Sequence, residues 1–180
     1  MQPAAICMVF LSLLVPAHAP AAVADSSANG FTAKLTLNIQ APPGDVYRKL
    51  VRNIGDWWEA SHTFSADPHN LSIDDKPGGC FCEKLASSGV RHMQVLYADP
   101  GKRLVLSGAL GPMQTMAATG SMTIELTPSN GGTKLDVTYA VAGYLPAGMN
   151  TLAPIVDSVV TAQFTRLKNY AETGDPAKSL

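Results

Sequence analysis

Charge is scarce in this 180-residue chain. Lys and Arg number 13 and Asp and Glu 14, a formal net charge of −1. No basic cluster is present, so the focused positive field that a nucleic-acid backbone requires is missing, and nucleic-acid binding is not expected. Long apolar runs are missing too: no stretch reaches the roughly 20 residues that cross a bilayer as a helix. Cysteine is limited to 3 residues, too few for a disulfide scaffold. There is no Gly-x-Ser-x-Gly elbow, His-Glu-x-x-His pair, phosphate loop or dinucleotide fingerprint, so none of those established chemistries is expected. Repeats, linkers and low-complexity segments are also lacking. What remains is 46% hydrophobic residues, a globular composition for one domain.

The N-terminus reads as an export signal. Ala4 to Val15 form an apolar run of signal-peptide length. Two small-residue cleavage patterns follow. Ala17-His18-Ala19 precedes Pro20, whose ring hinders a peptidase; Ala22-Val23-Ala24, followed by Asp25, is the better site. Residues 1–24 are therefore expected to be removed and residues 25–180 to form one periplasmic or secreted domain, with no stable membrane anchor. Cys80 and Cys82 remain. On an extended strand, residues two apart have Cβ atoms about 6.6 Å apart, whereas a disulfide wants about 3.8 Å, so two separate thiols are expected.

The mature chain divides by period. Phe31, Ala33, Leu35, Leu37 and Ile39 alternate with polar residues and predict a half-buried strand. Pro42-Pro43-Gly44-Asp45 opens a helix carrying Val46, Leu50, Ile54 and Trp57, with Gly55 expected to break it in two. Turn signals then arrive regularly, among them Pro77-Gly78-Gly79, Ser87-Ser88-Gly89, Pro100-Gly101 and Asn130-Gly131-Gly132. They predict an antiparallel meander of about six or seven strands. From Met149 to Glu172 a stripe of Leu152, Val156, Val159, Phe164, Leu167 and Tyr170 predicts a long helix, closed by Gly174. The fold class is α+β.

Particular stretches carry a family resemblance. They are Ala41-Pro42-Pro43-Gly44-Asp45-Val46-Tyr47, the pair Trp57-Trp58, Pro77-Gly78-Gly79, and Tyr97-Ala98-Asp99-Pro100-Gly101-Lys102-Arg103-Leu104. With the element order, they resemble the SRPBCC superfamily, also called START-like or helix-grip proteins. The branch is the one related to polyketide cyclases and the heat-shock ATPase activator. The resemblance implies a curved antiparallel sheet gripping the C-terminal helix, with an apolar cavity between them. It specifies fold more than activity.

Such a cavity needs apolar walls and a few orienting polar groups. Candidate ligand-binding residues are Trp57, Trp58, His62 and Phe64 after the first helices, Met113 and Met116 in an apolar loop, and Tyr144 ahead of the last helix. The simplest register of the hairpin over Cys80–Ala86 and Val90–Ala98 places Glu83 opposite His92 and Phe81 opposite Gln94. Glu83, His92 and Gln94 therefore join the candidates, and Glu83 and His92 are the only ones for acid–base catalysis. Which face of that hairpin points inward stays open, since apolar residues occupy both; on the outer face Glu83 and His92 would be an ordinary surface pair. No cofactor or metal is expected, because His62, His69, Glu83 and His92 are too scattered to make a ligand set. The function expected is a carrier or sensor of a small apolar molecule or lipid; the alternative is a cyclase-like or lyase-like enzyme using Glu83 and His92.

Overall fold

The computed structural model describes residues 22–180. The apolar run Ala4–Val15 and the Ala17-His18-Ala19 pattern lie outside the described residues. Among the described residues, eight strands form one antiparallel sheet in the order β1-β2-β8-β7-β6-β5-β4-β3. They are β1 (Ala22–Ser27), β2 (Gly30–Ile39), β3 (Leu71–Ile73), β4 (Cys80–Lys84), β5 (Gly89–Asp99), β6 (Arg103–Ser107), β7 (Ala117–Ser129) and β8 (Gly132–Tyr144). The helices are α1 (Pro43–Arg52), α2 (Ile54–Trp57) and α3 (Ala153–Thr173). The strand count exceeds the six or seven expected. β1 carries no apolar alternation and is added by a tight hairpin onto β2, while β3 has only three residues and makes no periodic signal. The cleavage position expected after Ala24 falls inside β1, at a register shift between Val23 and Asp25.

Period 2 does its work in β2, where Phe31, Ala33, Leu35 and Ile39 are buried, Leu37 is half-buried and Lys34, Thr36 and Asn38 face solvent. β2 and β8 run in unbroken register from Gly30↔Ala142 to Ile39↔Thr133. Between β2 and β3 the chain crosses from one side of the sheet to the other through α1 and α2. Pro43 sits in the first turn of α1, where its missing N–H costs nothing. The two helices part at Asn53, not at Gly55. Gly55 serves close approach instead: a Cβ there would lie 2.8 Å from the Cα of His69.

The long C-terminal element begins with a 3-10 turn (Met149–Thr151) and continues as α3, ended by Gly174 in the left-handed conformation at φ 79°. α3 packs on β2 and also touches β1, α1 and α2. Lys49 donates to the carbonyls of Tyr170 and Ala171, placing a cation on the negative end of the α3 dipole. The core gathers Phe31, Leu35 and Ile39 from β2, Leu104 and Leu106 from β6, Ile124 and Leu126 from β7, and Leu135 and Val137 from β8. Val46, Leu50, Ile54, Trp57, Phe164 and Leu167 close it from the helices.

Candidate functional site

At the N-terminal half of α3 the core opens into a cavity of about 400 Å³. That is within the range of small-molecule sites. Leu152, Ile155, Val156, Val159 and Val160 form the helix wall. Trp58 and residues 61–64 form a second wall, Leu71, Phe81 and His92 the sheet floor, and Leu110, Pro112, Met113 and Met116 a third wall. Among the described residues, no Lys, Arg, Asp or Glu lines it.

The floor depends on a β-bulge. β4 and β5 pair as Phe81↔Met93, Cys82↔Arg91 and Glu83↔Val90. His92 is thus the extra residue, and both His92 and Met93 are buried. The expected opposition of Glu83 to His92 and of Phe81 to Gln94 is therefore corrected. Glu83 and His92 still meet, with His92 Nε2 3.0 Å from Glu83 Oε2, because the bulge turns His92 toward the face that carries Phe81 and Glu83. The same bulge returns Gln94 to the outer face, where it reaches the Gly78 carbonyl at 3.3 Å. Gln94 is not in the cavity.

Glu83 is 1% exposed, so its charge needs partners. The backbone amides of Phe64 and Ser65 donate to its two oxygens at 3.1 and 2.5 Å. Burial pushes the carboxyl up, but hydrogen bonds from Ser65, Phe64 and His92 outweigh it and hold Glu83 below its usual range. Burial pulls the His92 imidazole down, against the opposing pull of Glu83. At neutral pH the pair is a carboxylate and a neutral imidazole. Nε2 must then carry the proton given to Glu83, leaving Nδ1 to accept from Gln114 Nε2 at 3.3 Å. The His92 ring also lies 5.0 Å from Phe81 and 5.9 Å from Phe64 between ring centroids. One polar chain thus ties the 64–65 segment through Glu83 and His92 to the 111–115 turn, the two lips of the cavity.

Trp58 and His62 are held by local contacts. The Trp58 indole N–H donates to the His62 carbonyl at 3.1 Å, and the ring meets Phe81 edge-on. His62 Nδ1 receives Gln163 Nε2 at 3.1 Å. At the root of the 110–116 loop, the buried Tyr139 hydroxyl accepts from the Leu110 amide at 3.0 Å. Burial pushes that phenol up to about 12, so it stays neutral.

Six of the sequence candidates line the cavity: Trp58, His62, Phe64, His92, Met113 and Met116. Glu83 stands directly behind His92. Trp57 does not line it; the side chain is 1% exposed in the core and donates to the Lys49 carbonyl at 3.0 Å. Tyr144 is 72% exposed, because Tyr139 and Val141 point inward on β8 and alternation sends residue 144 outward. Sequence reasoning missed Gln163 and Gln114. Gln163 had a signal, a polar residue inside the apolar stripe of α3; Gln114 had none.

The thiol expectation is also corrected. Cys80 and Cys82 form a disulfide, on the face of β4 opposite Phe81 and Glu83. Their Cα atoms are 5.3 Å apart, closer than in an ideal extended strand and within the span a disulfide accepts. The ladder is irregular at this point, between Phe81 and Cys82.

No family model and no curated protein matches the chain. Solved structures do. A conserved protein of unknown function from Enterococcus faecalis, EF2215, superposes with a TM-score of 0.61 at 17% identity, over 89% of this chain and 82% of that one. CalU16 from Micromonospora echinospora gives 0.56 at 14% identity, over 81% and 78%. The Aha1 dimer from Colwellia psychrerythraea gives 0.58 at 15% identity, over 79% and 97%. At these identities the likeness is one of fold: an open antiparallel sheet with a C-terminal helix, the helix-grip arrangement.

Proposed function

We propose that this chain is an exported binding protein that holds a small apolar molecule between the sheet and α3. The observation that carries the reading is the cavity of about 400 Å³ walled by side chains of α3 that meet space in place of protein. Apolar surface left facing a void gives up dispersion contacts that a ligand would restore. Export rests on the apolar run Ala4–Val15 and the Ala22-Val23-Ala24 pattern. Cleavage after Ala24 would leave Asp25–Ser27 paired with Gly30–Thr32, so the sheet edge would keep its hairpin. Catalysis by Glu83 and His92 is the weaker reading. Both ring nitrogens of His92 are engaged, by Glu83 and Gln114, and no lone pair is left free for a substrate proton.

The test is titration with the neutral apolar dye Nile red. Saturable binding at one site is expected for the wild type. Val159→Trp, which fills the cavity from the helix wall, is expected to abolish binding while keeping the folded circular-dichroism spectrum. Absence of saturable binding to folded wild-type protein, or undiminished binding by Val159→Trp, overturns the reading.

A further inference from the structure

Gln163 is a polar side chain at 1% exposure on α3, one turn beyond the cavity-lining Val159 and Val160. Its orientation is dictated by its partners. The Glu59 backbone N–H can only donate, and it points at Gln163 Oε1 from 2.9 Å. The other end of the amide is therefore NH₂, and it faces His62 Nδ1 at 3.1 Å. A ring nitrogen that receives an N–H carries no proton of its own. In neutral His62 the proton then sits on Nε2, which has no hydrogen-bond partner among the described residues. Ser61 Oγ, 3.4 Å from Nδ1, crowds the same engaged nitrogen and leaves Nε2 untouched.

A buried amide thus holds the exposed His62 imidazole as a donor at a cavity lined mainly by apolar side chains, beside the Ser61 and Thr63 hydroxyls. The second imidazole is different, because Glu83 and Gln114 occupy both nitrogens of His92. Among the described residues no cation lines the cavity, and the Glu83 carboxylate stands 3.0 Å behind the His92 ring. An anionic ligand would meet repulsion and uncompensated desolvation. A neutral ligand with one acceptor oxygen would meet a preset donor.

We infer that the ligand is a neutral apolar molecule bearing a carbonyl-type acceptor, and that His62 Nε2–H, set by Gln163, is the group that recognises that oxygen. This deepens the binding reading above and rests on it. Gln163 acts here through His62 and is a positioning residue.

The probes are 2-acetylnaphthalene and 2-isopropylnaphthalene, which differ by a carbonyl oxygen in place of a methyl group, with 2-naphthoate as the anionic arm. His62→Phe is expected to weaken the ketone about fivefold, the loss of one hydrogen bond, and to leave the hydrocarbon within about twofold. Gln163→Leu is expected to weaken the ketone selectively as well. 2-Naphthoate should bind wild type more weakly than the ketone. Independently of any variant's folding, ¹⁵N NMR of ligand-free wild-type protein should show His62 protonated on Nε2 and bare on Nδ1. Equal losses for ketone and hydrocarbon in His62→Phe, naphthoate binding as tightly as the ketone, or a proton on Nδ1 in neutral His62 would each overturn the inference while leaving the cavity in place. If neither neutral naphthalene binds folded wild type saturably, the binding reading itself fails and takes the inference with it.

Discussion

The two halves of α3 share one apolar stripe and use it differently. In the C-terminal half, Phe164, Leu167 and Ala171 are buried against the core, and Lys49 seals the final carbonyls. In the N-terminal half, Ile155 is 63% exposed, Val156 and Val159 are half-buried, and all three face the cavity. One half has protein opposite it and the other has space. The support also differs in kind. Apolar packing holds the closed half, whereas the open half is framed by hydrogen bonds through Glu83, His92, Gln114, His62 and Gln163. An apolar helix face whose packing partner is missing, framed by hydrogen-bonded polar groups, is how this molecule keeps a cavity without collapsing into it.

The frame is the place where the open half breaks hardest. Glu83→Ala leaves the His92 N–H and two backbone amides without their acceptor, at about 1–3 kcal/mol for each buried donor, and the expected cost is about 3–5 kcal/mol of stability by chemical denaturation. The exposed pair Arg103–Glu125 is the control, worth about 0–1 kcal/mol. A loss for Glu83→Ala no larger than the control would mean that the frame is ornamental.

Leu167→Ala and Val156→Ala set the two halves of the helix directly against each other. Leu167 is fully buried, and its truncation should cost about 2–5 kcal/mol. Val156 already faces space, so its truncation should cost about 1 kcal/mol or less. Similar losses at both positions, read from urea midpoints, would erase the distinction between a packed and an open half.

Acid supplies the smallest effect and the finest one. Burial holds His92 below its ordinary value of 6.5, and hydrogen bonds hold Glu83 below 4.5. For both groups the unfolded chain binds protons more readily than the folded one, so their contribution to stability falls as pH falls. It is complete above about pH 6.5, declines first as unfolded His92 takes up its proton, and declines again below 4.5 as unfolded Glu83 does. His92→Gln should remove the first step and leave the second. A wild-type stability that rises between pH 7 and 5.5, measured by urea denaturation at each pH, would contradict the placement of His92.

Much of the framework was legible because it is local and periodic. The alternation in Phe31–Ile39 marked the buried face of β2, Pro43 marked the start of α1, and the stripe ending at Gly174 marked α3 to within a residue at its C-terminal end. The candidate site was legible in composition more than in position. Trp58, His62 and Phe64 were drawn from the cluster after the first helices and Met113 and Met116 from an apolar loop, and the fold brings those segments around one space. Trp57, beside Trp58, has the same side chain and the opposite outcome, since Trp57 is the last residue of α2 and is turned into the core, whereas Trp58 leaves the helix in an extended conformation. The His92 bulge left no trace, because a bulge depends on what two strands do together. Without it, His92 and Gln94 would share a face.

What the sequence determined by itself is therefore what neighbouring residues decide among themselves: the period of each element, its capping and turn chemistry, and a composition suited to one globular domain. Only the tertiary structure decided the rest. It set the register of β4 on β5, the proton placement on His62 and His92, and the void along half of α3. Each of these is a relation between groups far apart in the chain or on paired strands. Its energy comes from contacts, and from their absence, that exist only once the sheet and the helix have met.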